Sequence, residues 1–345
     1  MQSMMVSSSI LAAGPLGEFL KAAYGWEGTV TCRLLRAGIN HTYSVEIKDN
    51  ATQPASLKFV FRVYSLNWRS QSEILAEIGL IQELKEGGLP VSYPLPAKNG
   101  SFIVPVWAPE GQRFGLLFSF AEGSKVHRYP MEVHREAGRV MARFHELTKG
   151  KKIEREHYDL ARLLHQPFQT IALYLSAEAE EMNYLKELAS RLEHELSEAA
   201  PFLRNGVVHL DIWFENFVIT ADQQLILFDF DFCGNGWPGL DLAFYSMQVH
   251  NSERYEAALY EPNLQAFLEG YQSVLEIPAI ERKLLPQLGL ALFIFYLGIQ
   301  CQRFENWSNT FLSEDYLKRF INGLIRRYDL LYSKGAPAPD RALPG

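Results

Sequence analysis

Cysteine is scarce. Cys32, Cys233 and Cys301 are the three in 345 residues, an odd and widely spaced set that argues against a disulfide framework or a cysteine-built zinc site. That usage fits a reducing, cytoplasmic setting. Long apolar runs are lacking as well. The longest, Leu288 to Ile299, has about twelve residues against the roughly 20 needed to span a bilayer. It reads as a buried core helix, and no membrane partner is expected. The stretch "MQSMMVSSSILAAGPLGEFLKAAYGW" has no basic cluster, and Glu18 interrupts its apolar part, so it reads as a short amphipathic helix rather than a signal peptide. Positive charge is in deficit. A net charge of −7 argues against a nucleic-acid or anionic-membrane binder, which would need a basic face. A local basic pocket for phosphate stays open.

What is present is a globular composition with 48% hydrophobic residues, in a chain long enough for two cores rather than one. The first third reads as strands: "TVTCRLLRAG", "HTYSVEI", "LKFVFRVY", and later "GSFIVPVW" and "FGLLFSF". Among them, "SQSEILAEIGLIQELKEGG" sets Ile74, Ile78, Ile81 and Leu84 on one helical face, ended by Gly87 and Gly88. Beyond "AEGSK" helices dominate, interrupted by one clear strand pair around Asn216 to Phe232. The expected fold class is therefore α+β. A strand-rich part over 1–118 precedes a larger helical part over 119–333, with a candidate hinge near "FSFAEGSK" and a disordered tail over 334–345.

The chemistry concentrates in "HLDIWFENFVITADQQLILFDFDF". Folded as a hairpin centred between Asp222 and Gln223, "NFVIT" and "LILFDF" would set Asn216 opposite Asp229. Asp229 and Asp231, two apart in a strand, would share a face, with Asp211 at the same end. Such a set gathers hard oxygen ligands of the kind Mg2+ prefers, and leaves Asp211 to accept a proton from a hydroxyl. Acids amid Phe228, Phe230 and Phe232 are costly to bury unless paired or metal-bound, which favours function over turn formation.

His-x-Asp-x-x-x-x-Asn, a hairpin and then an aspartate resembles the catalytic and metal-binding loops of the protein-kinase-like phosphotransferases. "FDFDF" followed by "LDLAFY" is similar to the small-molecule branch: aminoglycoside phosphotransferases, choline kinases and kinase-like homoserine kinases. The resemblance runs from about Arg33 to Tyr332 and implies a bilobal fold, with a small β-rich N-lobe bearing one main helix and a larger, mostly helical C-lobe. It implies an ATP- and Mg2+-dependent kinase moving the γ-phosphate to a hydroxyl of a small molecule. The alternatives are a protein Ser/Thr acceptor, as in the bacterial stress kinases, and a nucleotide-binding pseudokinase. By the same resemblance Asp211 is the catalytic base. Asn216, Asp229 and, less firmly placed, Asp231 are the metal ligands. Asp241 braces the catalytic loop, and His209 is an anchor. Arg62 stands where the family carries its phosphate-gripping lysine, with Glu77 as its helix partner and Glu73 as the fallback. Gly38 and Asn40 belong to the nucleotide-covering turn, and Phe118 and Phe120 to the adenine-binding hinge.

Three departures stand out. Leu210 replaces the glycine usual between the histidine and the aspartate, Gly38 is the only glycine of the covering turn, and Trp213 and Phe214 are bulky for a catalytic loop. The two aromatics are read either as an acceptor wall suited to a cationic amine or as core. Tyr296, Arg303 and Trp307 are further candidates to line the acceptor pocket, with core the stronger reading.

Overall fold

The computed structural model describes residues 6–48, 56–125, 129–252, 257–302 and 312–332. Arg303, Trp307 and the tail over 334–345 lie outside the described residues. Among the described residues the chain divides after Glu122 into two compact units.

In the first unit, the amphipathic N-terminal segment forms α1 (Ala13–Tyr24). An antiparallel sheet is built from β1 (Thr29–Ala37), β2 (His41–Lys48), β3 (Leu57–Val63), β4 (Pro94–Leu95), β5 (Ile103–Ala108) and β6 (Gly111–Ser119), in the order β1-β2-β3-β6-β4 with β5 also on β6. Alternation in β2 buries Tyr43, Val45 and Ile47 on one face. Tyr43 and Val45, with Phe61, Val63 and Leu117, pack against Leu16 and Leu20 of α1. The helix α2 (Gln71–Glu86) starts at Ser70, whose hydroxyl and backbone exchange bonds with Glu73 in a capping box. All four apolar residues expected on its inner face are buried. Arg113 is sealed inside this unit. Its guanidinium donates to the carbonyls of Val63, Tyr64 and Ser9 and to Glu110 Oε1 at 2.7–3.2 Å, which fixes the end of β3.

The second unit is helical: α3 (Met131–Leu147), α4 (Pro167–Ile171), α5 (Glu180–Ala199), α6 (Gly239–Ser252), α7 (Ala257–Gln272), α8 (Ala279–Gln302), α9 (Glu314–Phe320) and α10 (Arg327–Tyr332). The apolar run lies in α8, and every residue from Leu288 to Ile299 except Tyr296 is buried there, in line with a core helix. Two small antiparallel pairs interrupt the helices, where one was expected. In order along the chain, β7 (Gly206–Val208) pairs with β10 (Gly234–Gly236), and β8 (Phe217–Ile219) pairs with β9 (Leu225–Leu227). β10 is Gly-Asn-Gly, which has no strand preference of its own; pairing with distant β7 imposes the conformation.

Helices α3 and α7 touch backbone to backbone. A Cβ on Gly138 would overlap the Phe267 carbonyl oxygen, and one on Gly270 the Arg135 carbonyl oxygen, whereas Gly79 in α2 has open space around it. Gly138→Ala and Gly270→Ala should each lower the unfolding free energy in urea by about 3 kcal/mol through overpacking. Gly79→Ala should raise it by roughly 0.5–1 kcal/mol through helix propensity.

His41 and His134 are buried, and burial holds both imidazoles down at about 4, from 6.5. The unfolded chain therefore binds more protons between these values, so stability should be full above pH 6.5 and fall as the pH drops toward 4. Urea midpoints across that range check the sign, and His134→Gln should flatten the slope.

Candidate active site

In the first unit β3 delivers Arg62, and Tyr64 follows two residues on, toward the same face. Both meet Glu77 on α2. Arg62 Nη1 lies 3.3 Å from Glu77 Oε1, and Tyr64 Oη donates to Oε2 at 3.0 Å. Glu77 is fully buried, so its charge is compensated by these partners rather than by water. The Arg62 guanidinium also sits 5.2 Å from the centre of the Phe118 ring. Glu73, the fallback partner, is instead engaged in the cap and with Arg69. Phe118 lies in β6 opposite Val60 and Pro94 and is buried. Phe120 is partly exposed, with Lys58 Nζ 5.4 Å from its ring. In the covering turn, the Gly38 amide donates to the Asn40 carbonyl at 3.1 Å and Asn40 Oδ1 accepts the Ser65 amide at 3.2 Å. The turn between β1 and β2 is thus tied to the end of β3.

In the second unit β7 leads into the loop His209 to Asn216. Its backbone is held by side chains. Asp241, fully buried at the start of α6, accepts the His209 amide at 2.9 Å through Oδ2 and the Leu210 amide at 2.6 Å through Oδ1. The same Oδ2 lies 2.9 Å from His145 Nε2. His209 Nδ1 accepts the Asp211 amide at 3.1 Å, so that nitrogen is committed to the loop. Leu210 adopts φ +61°, a left-handed conformation that costs a branched residue about 1–2 kcal/mol. Its side chain is buried, and its carbonyl accepts a hydrogen bond from the Tyr296 hydroxyl of α8. Asn216 Nδ2 donates to the Asp211 carbonyl at 2.9 Å and to Asp211 Oδ2 at 2.6 Å. This turns the Asn216 amide nitrogen toward Asp211 and leaves its Oδ1 as the oxygen available to a cation.

The hairpin register differs from expectation. Phe217 faces Leu227 and Ile219 faces Leu225, so the centre is Asp222 and Asn216 meets Phe228, whose amide donates to the Asn216 carbonyl at 3.1 Å. The tighter turn, with Gln223 at φ +64°, removes one residue from the count. Asp229 is therefore not the cross-strand partner of Asn216. It lies beyond β9 with φ +67°, and Asp229 and Asp231 do not share a strand face. Asp231 is buried and Asp229 partly so. Their loop is stitched from the other side by Arg155, which donates to the carbonyls of Cys233, Phe230 and Asp231, and by Tyr158, which donates to the Phe232 carbonyl at 2.7 Å. Among the described residues no group of three or more His, Cys, Asp or Glu side chains could hold a metal. The donors on offer are an amide oxygen and carboxylates, a hard-oxygen set that suits a cation completing its shell with water and phosphate.

Of the bulky pair, Phe214 packs against Tyr129, His134 and Tyr245 with centroids 4.7–5.9 Å apart, an aromatic cluster within the unit. Trp213 is partly exposed. Four positioning groups escape a reading of the sequence. His145 lies on the apolar face of α3 and Tyr64 two residues beyond Arg62, patterns that flag them only once Asp241 and Glu77 are in place. Arg155 and Tyr158 left no signal in the sequence. Removing the Asp241 carboxylate strands two buried amides and His145, so Asp241→Ala should cost about 3 kcal/mol or more of stability, measurable by urea unfolding.

Residues 31–277 match the model of the phosphotransferase enzyme family. The chain is 28% identical over 226 residues to a homoserine kinase of Agrobacterium fabrum (63% of this chain, 66% of that one). It is 26% identical over 290 residues to an amicoumacin kinase of Bacillus subtilis (79% and 80%). The solved structure of a microcompartment-associated aminopropanol kinase superposes with a TM-score of 0.74 at 20% identity, covering 93% of this chain and 98% of that one. At that identity the last likeness speaks for the fold, which is kinase-like, with a β-sheet part followed by a mostly helical part. With the family match spanning well over half the sequence, the chain belongs to the phosphotransferase enzyme family and is a kinase-type enzyme.

Proposed function

We propose that the protein transfers the γ-phosphoryl group of ATP, with Mg2+, to a hydroxyl of a small molecule that also bears an amine. The observation that carries this reading is the pair Asp211 and Asn216, joined at 2.6 Å on a loop whose backbone is fixed at three successive residues. A fixed carboxylate beside a hard-oxygen ligand is what in-line phosphoryl transfer asks of a protein, since its catalysis is mostly positioning and charge neutralisation. Support for the acceptor class comes from relatives whose names specify homoserine and amicoumacin kinases.

In this mechanism Asp211 orients the acceptor hydroxyl and takes its proton as the oxygen bonds to the γ-phosphorus. The bond from that phosphorus to the β–γ bridging oxygen breaks, and ADP leaves with the electron pair. Asn216 Oδ1 and Asp229, with Asp231 as the further candidate, would hold Mg2+, which when bound neutralises phosphate charge. Arg62 supplies a permanent cation for the phosphates; Glu77 and Tyr64 hold it in place. Gly38 and Asn40 shape the nucleotide-covering turn, and the strand end bearing Phe118 and Phe120 serves the adenine.

Turnover of MgATP against homoserine, aminopropanol, ethanolamine, choline, sugars and aminoglycosides, with peptides as the contrasting arm, tests the reading. Asp211→Ala should lose roughly 1000-fold or more in kcat, an order set by loss of both base and orientation, while ATP still binds in calorimetry. Asp229→Ala should lose the Mg2+-dependent part of ATP binding as well. Turnover retained in Asp211→Ala, or confined to peptides, would sink the assignment.

A further inference from the structure

The geometry points to Tyr296 as a positioning residue: its hydroxyl clamps the Leu210 carbonyl and so holds the strained peptide that aims Asp211. The peptide between Leu210 and Asp211 has two polar ends. The carbonyl end is held by Tyr296 from α8, and the amide end by His209 Nδ1 at 3.1 Å. The preceding amide, of Leu210, is held by Asp241 at 2.6 Å. Leu210 sits at φ +61°, so it gains by relaxing toward negative φ unless these bonds prevent it. Such relaxation rotates the peptide that leads directly into Asp211. The two bonds to Asp241 and His209 constrain amides; Tyr296 supplies the restraint on the carbonyl.

Tyr296 is itself well placed for this task. Its ring is wedged among Phe232, Phe244 and Phe295, with centroids 5.0–5.7 Å away, which fixes the hydroxyl without consuming it. Burial, and then the nearby Asp211 carboxylate, push its ionisation well above the ordinary phenol range.

The inference rests on Asp211 being the group that takes the acceptor proton, and the test separates the two. Tyr296→Phe removes one oxygen and keeps the ring. With MgATP and the acceptor found in the screen above, kcat should fall about tenfold while KM for MgATP stays within about twofold. Leu210→Gly removes the strain, so adding Tyr296→Phe to it should cost less than about threefold. A loss of equal size in both backgrounds, or no loss in the single variant, overturns the clamp. Hydrogen exchange of the peptide spanning His209 to Asp211, followed by mass spectrometry, tests the clamp without turnover and without Leu210→Gly needing to fold. Exchange there should speed up about tenfold or more in Tyr296→Phe, with β7 unchanged; unchanged exchange at the loop also overturns the clamp. Wild-type protein inactive on every acceptor, with faster loop exchange in the variant, would keep the clamp and remove the catalytic reading.

Discussion

One carboxylate organises the second unit. Asp241 is fully buried and takes three donors: the amides of His209 and Leu210, and His145. A buried anion survives only when its lone pairs are filled, and here two of the three donors are backbone groups of the loop bearing Asp211. The same hydrogen bonds thus offset both the cost of burying the charge and the cost of leaving an irregular loop's amides out of water. His145 links the arrangement onward to Tyr271 at 2.8 Å, so α3, α6, α7 and the loop form one hydrogen-bonded unit.

The first unit solves a parallel problem with opposite signs. Arg62 is a buried cation, and it is met by Glu77, which Tyr64 holds on its second oxygen. A short capping box starts the helix that carries Glu77, and burial of Ile74, Ile78, Ile81 and Leu84 fixes its rotation. In both units a charged group proposed for the chemistry is set by a neighbour whose position comes from ordinary amphipathic packing.

Leu210 shows how a local rule is broken and compensated. Glycine adopts positive φ at little cost, and leucine does not. The loop keeps the conformation because the Leu210 amide is held by Asp241 of α6 and its carbonyl by Tyr296 of α8, with its side chain buried. Asp229, with its own positive φ, is held in a loop whose carbonyls Arg155 collects. Of the four non-glycine residues with positive φ among the described residues, Leu210 precedes Asp211 and Asp229 is itself an acid, so two of the four lie at the acids proposed for the chemistry.

The α+β class, the strand-rich start, the face of α2 and the burial of α8 follow from residue type and period. Local preference and hydrophobic pattern decide these over short stretches of chain. The hairpin register did not follow: whether Asn216 faces Asp229 or Phe228 turns on one residue in the turn, and pattern alone does not resolve a slip of one. Nor did β10, the bracing by Arg155 and Tyr158, or the partners of Asp241, His145 and Tyr296. Each of these joins residues far apart in the chain, and no periodicity records which distant donor will fill a buried lone pair. The sequence by itself determined which chemical groups are present and roughly which elements hold them. Only the tertiary structure decided which oxygen faces which donor, because hydrogen bonding is satisfied in three dimensions across segments that local preference cannot connect.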